Sequence, residues 1–247
     1  MLARLGTMEA MTQQQATAQP AGVKREFDAV IFDLGGVMTE PLFRHRTDVP
    51  PEFFSVIAFF LGEFRDHYHL TTGLHDLHLL EMGRISDDEF FDRMIARYVE
   101  AGNEPVDPRE AQKVVFGRGM VACGAMADAV RQIRAAGYRT ALLTNISRDG
   151  EAIFTKLFPV DELFDVVVDS SKVGMRKPDP EIYRLTCSRL GVAPERCLFI
   201  DDLLCNVEAA DALGMQTIQC LDPVAVAGEV VERLLGHPAA AEAGAGT

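Results

Sequence analysis

The chain has 247 residues, 48% of them hydrophobic and 25% charged, with a net charge of −13, which is enough apolar material for one large domain or for a core with a smaller insertion. So acidic a chain argues against nucleic acid or an anionic membrane surface as a partner, because both are met with basic patches; an anionic substrate must be held by local Lys, Arg, backbone N–H groups or a metal. Five cysteines without a C-x-x-C pair read as reduced thiols in the cytoplasm.

Residues 1–24 are rich in Gln, Ala and Thr and lack the apolar stretch of a signal peptide, so a disordered leader is expected, with Met8 or Met11 as alternative starts. No apolar run reaches the roughly 18 residues needed to span a bilayer. "DAVIFD" (28–33) is the first strand. Residues 42–119 then read as helices, among them "PEFFSVIAFFLGEF" and "SDDEFFDRMIARYVEAG", the second with Ser86 as N-cap and a solvated acidic first turn. Beyond residue 120 the rhythm changes. "RTALLT" (139–144), "FDVVVD" (164–169), "CLFID" (197–201) and "MQTIQC" (215–220) are strand-length apolar runs between amphipathic stretches near 125–136, 149–158, 180–190 and 204–213. Gly137, Gly191 and Gly214 sit where helix C-caps belong, and Asp179-Pro180 is a helix start. This alternation predicts a doubly wound α/β core over 25–41 and 120–236, with an all-helical cap inserted over 42–119 and a loose tail at 237–247.

In an open parallel sheet, ligands bind beyond the carboxyl ends of the strands. Those ends carry Asp33; Thr144, Asn145 and Ser147; and Asp201, Asp202 and Asn206, with Lys177 in the loop before the helix at 180. Asp33 and Asp201 suit a shared hard cation such as Mg²⁺. With that cation and Lys177 screening a phosphate, Asp33 can act as nucleophile while Thr144 and Asn145 donate to phosphoryl oxygens. Each residue alone has a plainer reading: Asp33 as a strand-to-turn cap, the Asp201-Asp202 pair as helix caps, Lys177 as a solvated loop residue. His67, His69, His75 and His78 invite a zinc reading, but no further ligand set accompanies them, and a place on cap helices is the expectation.

The segments "DLGGV", "LLTN", Lys177-Pro178-Asp179 and "FIDDLLCNVEAADALGM" resemble, in order, the four motifs of the haloacid dehalogenase-like hydrolase superfamily. Over about residues 27 to 222 they look most like the branch of the amino-terminal phosphatase domain of soluble epoxide hydrolases. The resemblance implies Asp33 as nucleophile, Thr144 and Asn145 as phosphate binders, Lys177 as the charge-stabilising lysine, and Mg²⁺ on Asp33, Asp201, Asp202 and the carbonyl of Gly35. It also implies an acid/base Asp where this chain has Gly35. Three functions are therefore in play: a Mg²⁺-dependent phosphatase of a small phosphorylated metabolite, a metal-independent 2-haloacid dehalogenase, and a phosphometabolite-binding protein without turnover. The paired Asp201-Asp202 favours the first.

Overall fold

β1 (Ala29–Phe32) is apolar at every position, and all four of its residues are buried. The computed structural model describes residues 25–41, 49–71, 74–116 and 120–236 and makes this strand the centre of a five-stranded sheet. The chain leaves β1 through four helices, α1 (Phe54–His67), α2 (Asp76–Glu81), α3 (Asp87–Glu100) and α4 (Pro108–Phe116), and returns through α5 (Gly124–Ala135) to β2 (Arg139–Thr144). It continues with α6 (Glu151–Leu157), α7 (Val160–Leu163), β3 (Val166–Asp169), α8 (Ser170–Val173), α9 (Pro180–Leu190), β4 (Cys197–Asp201), α10 (Leu204–Asp211), β5 (Gln216–Gln219) and α11 (Pro223–Leu235). The strand order is β3-β2-β1-β4-β5 and every pairing is parallel. All five expected strands are present.

Alternation along β1 explains the uninterrupted apolar run. Val30 and Phe32 enter one cluster with Met126, Val130 and Val230 of the helices on one face. Ala29 and Ile31 enter another with Ile182, Tyr183 and Ala210 on the other face. A strand covered on both faces has no side on which a polar residue is stable.

The helices between β1 and β2 form an inserted cap with its own core, in which Val56 and Phe60 of α1 meet Phe90, Phe91, Met94 and Tyr98 of α3. Ser86 caps α3 as expected, its hydroxyl accepting from Glu89 N at 3.1 Å. The insertion is fastened at its base, where Thr39 bridges Ala122, Glu40 N donates to Val121 O at 2.8 Å and Cys123 N donates to Met38 O at 2.9 Å. The expected leader at 1–24 and tail at 237–247 lie outside the described residues, as do 42–48 and 117–119, where the cap's boundaries fall. Among the described residues no helix is long and apolar enough to cross a membrane.

Candidate active site

The chain winds outward from β1 through β2 to β3, then returns to place β4 on the other side of β1, so a crevice opens between the carboxyl ends of β1 and β4. Phe32 is in register with Ile200 and with Leu142, which sets Asp33, the next residue, level with Asp201 and Leu143. Lys177 reaches the same point from the loop between α8 and α9. Its ammonium donates to Asp33 Oδ1 at 2.6 Å, to Asp201 Oδ2 at 2.6 Å and to the carbonyl of Leu143 at 3.1 Å. Those three acceptors use all three of its protons. The side chain is buried, so it is held in one place by one strand end from each side of the crevice.

Asp201 is itself fixed. Its Oδ1 accepts from Leu203 N at 2.9 Å and from the Asn206 amide at 3.0 Å, which also reaches Oδ2 at 3.2 Å. Asp202 completes an acidic group with Asp33 and Asp201, whose ligating oxygens lie within 4.8 Å of one another. Three carboxylates around one ammonium, two of them buried and Asp202 half-buried, put more acidic groups than basic ones in one site. Burial is the main force pushing Asp33 up to about 8; Lys177 opposes it, while Asp201 and Asp202 add to it. Burial and Asp201 push Asp202 up to about 7. Burial works against the charge of Lys177, but Asp201 and Asp33 outweigh it and hold the ammonium above its usual range. This surplus of hard oxygen ligands over positive charge fits a divalent cation.

The two glycines after Asp33 have different reasons to be there. Gly36 has φ +70°, and a Cβ there would come within 2.6 Å of Asp202 Oδ2, so that position needs glycine both for its backbone and for the approach of Asp202. Gly35 has φ −70° and ψ 125°, an ordinary extended conformation. A Cβ at 35 would meet only Asp33 Oδ2, at 3.9 Å. The backbone thus does not demand glycine at 35; a side chain there would start beside the free edge of the Asp33 carboxylate.

A family model for haloacid dehalogenase-like hydrolases matches residues 27–214. The chain belongs to that family. Among relatives of this hydrolase, the phosphorylated carbohydrates phosphatase of Thermotoga maritima is 28% identical over 77% of this chain and 83% of its own length. Acyl-CoA dehydrogenase family member 10 of Mus musculus is 42% identical over 46% of this chain, which spans only 10% of that protein. Bifunctional epoxide hydrolase 2 of Sus scrofa is 34% identical over 39% of this chain and 18% of its own length, and (S)-2-haloacid dehalogenase 1 of a Pseudomonas species is 24% identical over 64% and 62%. A HAD family enzyme of Bacteroides thetaiotaomicron, crystallised with magnesium and inorganic phosphate, has the same fold, with a TM-score of 0.56 at 23% identity over 78% of this chain and 93% of that one.

Within the hydrolase the two remaining candidates differ. Thr144 ends β2 and is buried one residue beyond the Leu143 carbonyl that Lys177 uses. The Asn145 side chain is already engaged. Its amide donates to the Lys177 carbonyl at 2.9 Å, to the Tyr68 hydroxyl at 2.8 Å and more distantly to Glu81 at 3.4 Å, and its Oδ1 accepts from Lys177 N at 2.9 Å. As placed, that amide holds protein groups, and a phosphoryl oxygen would have to displace one of them. Ser147 likewise accepts no open role: it donates to Asp87 at 3.0 Å. This corrects the expectation of a wholly solvated start for α3, because Asp87 is buried against the core, and burial raises its carboxyl's pKa. Sequence reasoning also passed over Tyr68, Glu81 and Arg176. A charge inside the apolar "LHLLEMG" was the available signal for Glu81; for Tyr68 there was none.

His67, His75 and His78 engage one another around the start of α2, and among the described residues no histidine joins a group that could hold a metal ion. His78 Nε2 contacts the His67 carbonyl at 2.9 Å, and its Nδ1 accepts from His75 N at 3.3 Å, so both ring nitrogens are committed to the neutral form. His75 Nδ1 accepts from Leu77 N at 3.2 Å and its ring stacks on His67 at 4.3 Å. Burial and the nearby Arg176 charge lower the His78 pKa to about 4 from 6.5. The unfolded chain therefore binds more protons between those values, and the contribution of His78 to stability, full above pH 6.5, is lost as the pH falls through the window, by up to about 3 kcal/mol. The stability gap between the wild type and His78→Gln should accordingly narrow from pH 7 to pH 4.5 in denaturant titrations. A gap that stays constant would show that His78 is not neutral for structural reasons.

Proposed function

We propose that this hydrolase is a Mg²⁺-dependent phosphatase of a small phosphorylated metabolite, with Asp33 as nucleophile. The observation that carries the proposal is the convergence of Asp33, Asp201 and Asp202 within 4.8 Å, an excess of acid that metal-free dehalogenation does not need. Mg²⁺ on these carboxylates and the Gly35 carbonyl would supply positive charge that keeps Asp33 ionised and shields the phosphoryl group. Asp33 attacks phosphorus, the P–O bond to the leaving group breaks, and an aspartyl-phosphate forms; water then hydrolyses it, releasing inorganic phosphate and restoring the carboxylate. Lys177, anchored on Asp33 and Asp201, steadies the charge on the phosphoryl oxygens. Thr144 and the Asn145 segment border the same spot. Five free thiols are in keeping with a cytoplasmic setting.

With no carboxyl at position 35, the leaving oxygen takes its proton from water or from a cap residue, and substrates with good leaving groups, such as acyl or anomeric phosphates, are preferred. Because a Cβ at 35 meets only Asp33 Oδ2, at 3.9 Å, Gly35→Asp should be accommodated when Mg²⁺ is present and raise turnover of alkyl phosphates by about tenfold or more relative to p-nitrophenyl phosphate. Unchanged discrimination between the two would sink this account of Gly35.

A broad panel of phosphate esters assayed with and without Mg²⁺ tests the function, with beryllofluoride binding as a second readout. Halide release from 2-chloropropionate without metal would establish the dehalogenase reading, which Gly35 permits. Ligand-induced stabilisation without turnover on any ester would establish a binding protein.

A further inference from the structure

The loop that carries Lys177 is held from the cap through a chain of buried polar contacts that the reaction itself does not use. The Asn145 amide clamps both peptide groups of Lys177, accepting from its N–H and donating to its C=O, each at 2.9 Å. The same amide donates to the Tyr68 hydroxyl at 2.8 Å. Tyr68 immediately follows α1, and its ring is buried in the cap core, stacked on Phe64 at 4.5 Å. Next to Lys177 in sequence, Arg176 lies over that ring at 4.5 Å, donates to the Tyr68 carbonyl at 3.1 Å and pairs with Glu81 of α2 at 2.6 Å, with both partners buried. Ser170 adds a bond to the Glu81 carbonyl at 2.6 Å.

Two adjacent residues of the core loop, 176 and 177, are thus tied to two cap helices, one through its side chain and one through its backbone. We propose that Tyr68 and Glu81 are positioning residues: by fixing Asn145 and Arg176 they set where the Lys177 ammonium lies, so that the cap adjusts the core's charge-stabilising lysine as well as covering it. This rests on the phosphatase reading of the site. The physical basis is that a lysine with four rotatable side-chain bonds is placed by its backbone as much as by its acceptors. A shift of about 1 Å at a charge-stabilising group can lower the rate about a hundredfold without altering substrate contacts.

Tyr68→Phe keeps the buried ring and its stacking and removes only the hydroxyl that Asn145 bonds. It is expected to lower kcat about tenfold with KM within about twofold, the signature of a lost transition-state interaction. Removing the bond from the other side, in the Tyr68→Phe/Asn145→Ala double variant, should bring little further loss beyond Asn145→Ala, because both changes break one link. Glu81→Asp should restore more kcat than Glu81→Ala. A Tyr68→Phe enzyme with unchanged kcat, or with KM alone raised, would overturn the proposal. If the wild type hydrolyses no phosphate ester, the functional reading fails by itself, and positioning is then read from the side-chain NMR resonances of isotope-labelled Lys177, identified by their absence in Lys177→Arg. A displaced resonance in Tyr68→Phe supports the link, and an unmoved one refutes it.

Discussion

Asp33→Asn is expected to abolish turnover while making the protein more stable. Without the nucleophilic oxygen, hydrolysis of any phosphate ester should fall at least about 10³-fold, and beryllofluoride should no longer form its acyl-phosphate mimic. The stability gain follows from the charge balance of the site. Asp33 sits with Asp201 and Asp202 around a single ammonium, and burial with those neighbours raises it to about 8, far above the ordinary 3.8. The folded state therefore holds a proton that the unfolded chain has released between those two values, and stability declines as the pH rises through the window. Asparagine keeps an oxygen for Lys177 and removes that decline. In metal-free buffer at pH 8 the gain should be up to about 5 kcal/mol, or roughly 10 °C or more in melting temperature. It should shrink steadily as the pH falls towards 4, where the unfolded chain begins to take up the proton that the folded state already holds. Thermal melts of the two proteins from pH 4 to pH 8 decide the matter: a variant that is less stable at pH 8, or a gap that does not change with pH, contradicts the charge balance, and activity above a tenth of wild type contradicts the nucleophile.

Lys177→Met carries the opposite expectation for the fold. Lys177 fills the space between Asp33, Asp201 and the Leu143 carbonyl with three hydrogen bonds and, among the described residues, the only ammonium bonded to the acidic group. Methionine matches its length and leaves three carboxylates facing one another without a partner. Removing one side of a buried ionic cluster costs about 3–5 kcal/mol, which in a chain of this size is about 10 °C or more in melting temperature. Turnover should fall about 10³-fold. Mg²⁺ should stabilise this variant more than it stabilises the wild type, because a cation on the carboxylates would replace part of the missing charge. Adding Asp33→Asn to Lys177→Met should likewise recover stability, so the two changes should be far from additive. A Lys177→Met protein as stable as wild type above pH 8 in metal-free buffer, where Asp33 is ionised, would show that Lys177 does not balance the acidic group.

The five strands, the α/β class and the helical insertion could be read from the sequence because each rests on a local pattern. Apolar residues on consecutive positions, as in "AVIF", mark strands covered on both faces, and the change to helical spacing over 51–64 and 86–102 marks a block that cannot join the sheet. Asp33, Thr144 and Asp201 were findable for the same reason: a parallel sheet collects its strand ends on one edge, so polar residues that end apolar runs meet there. What followed from no pattern was what each side chain holds. Sequence position made Gly35 and Gly36 look like one turn, and only the approach of Asp202 and the sign of φ separate the glycine that the backbone requires from the one it does not. Asp87 read as a solvated helix start, since a carboxylate in a first turn serves the helix dipole whether or not the core lies behind it; burial against Ser147 depended on how the cap docks. Asn145 reads as a donor to a ligand until Tyr68, 77 residues earlier, is brought within 2.8 Å of its amide. Residues far apart in the chain meet through the packing of cap on core, and no local spacing encodes that distance.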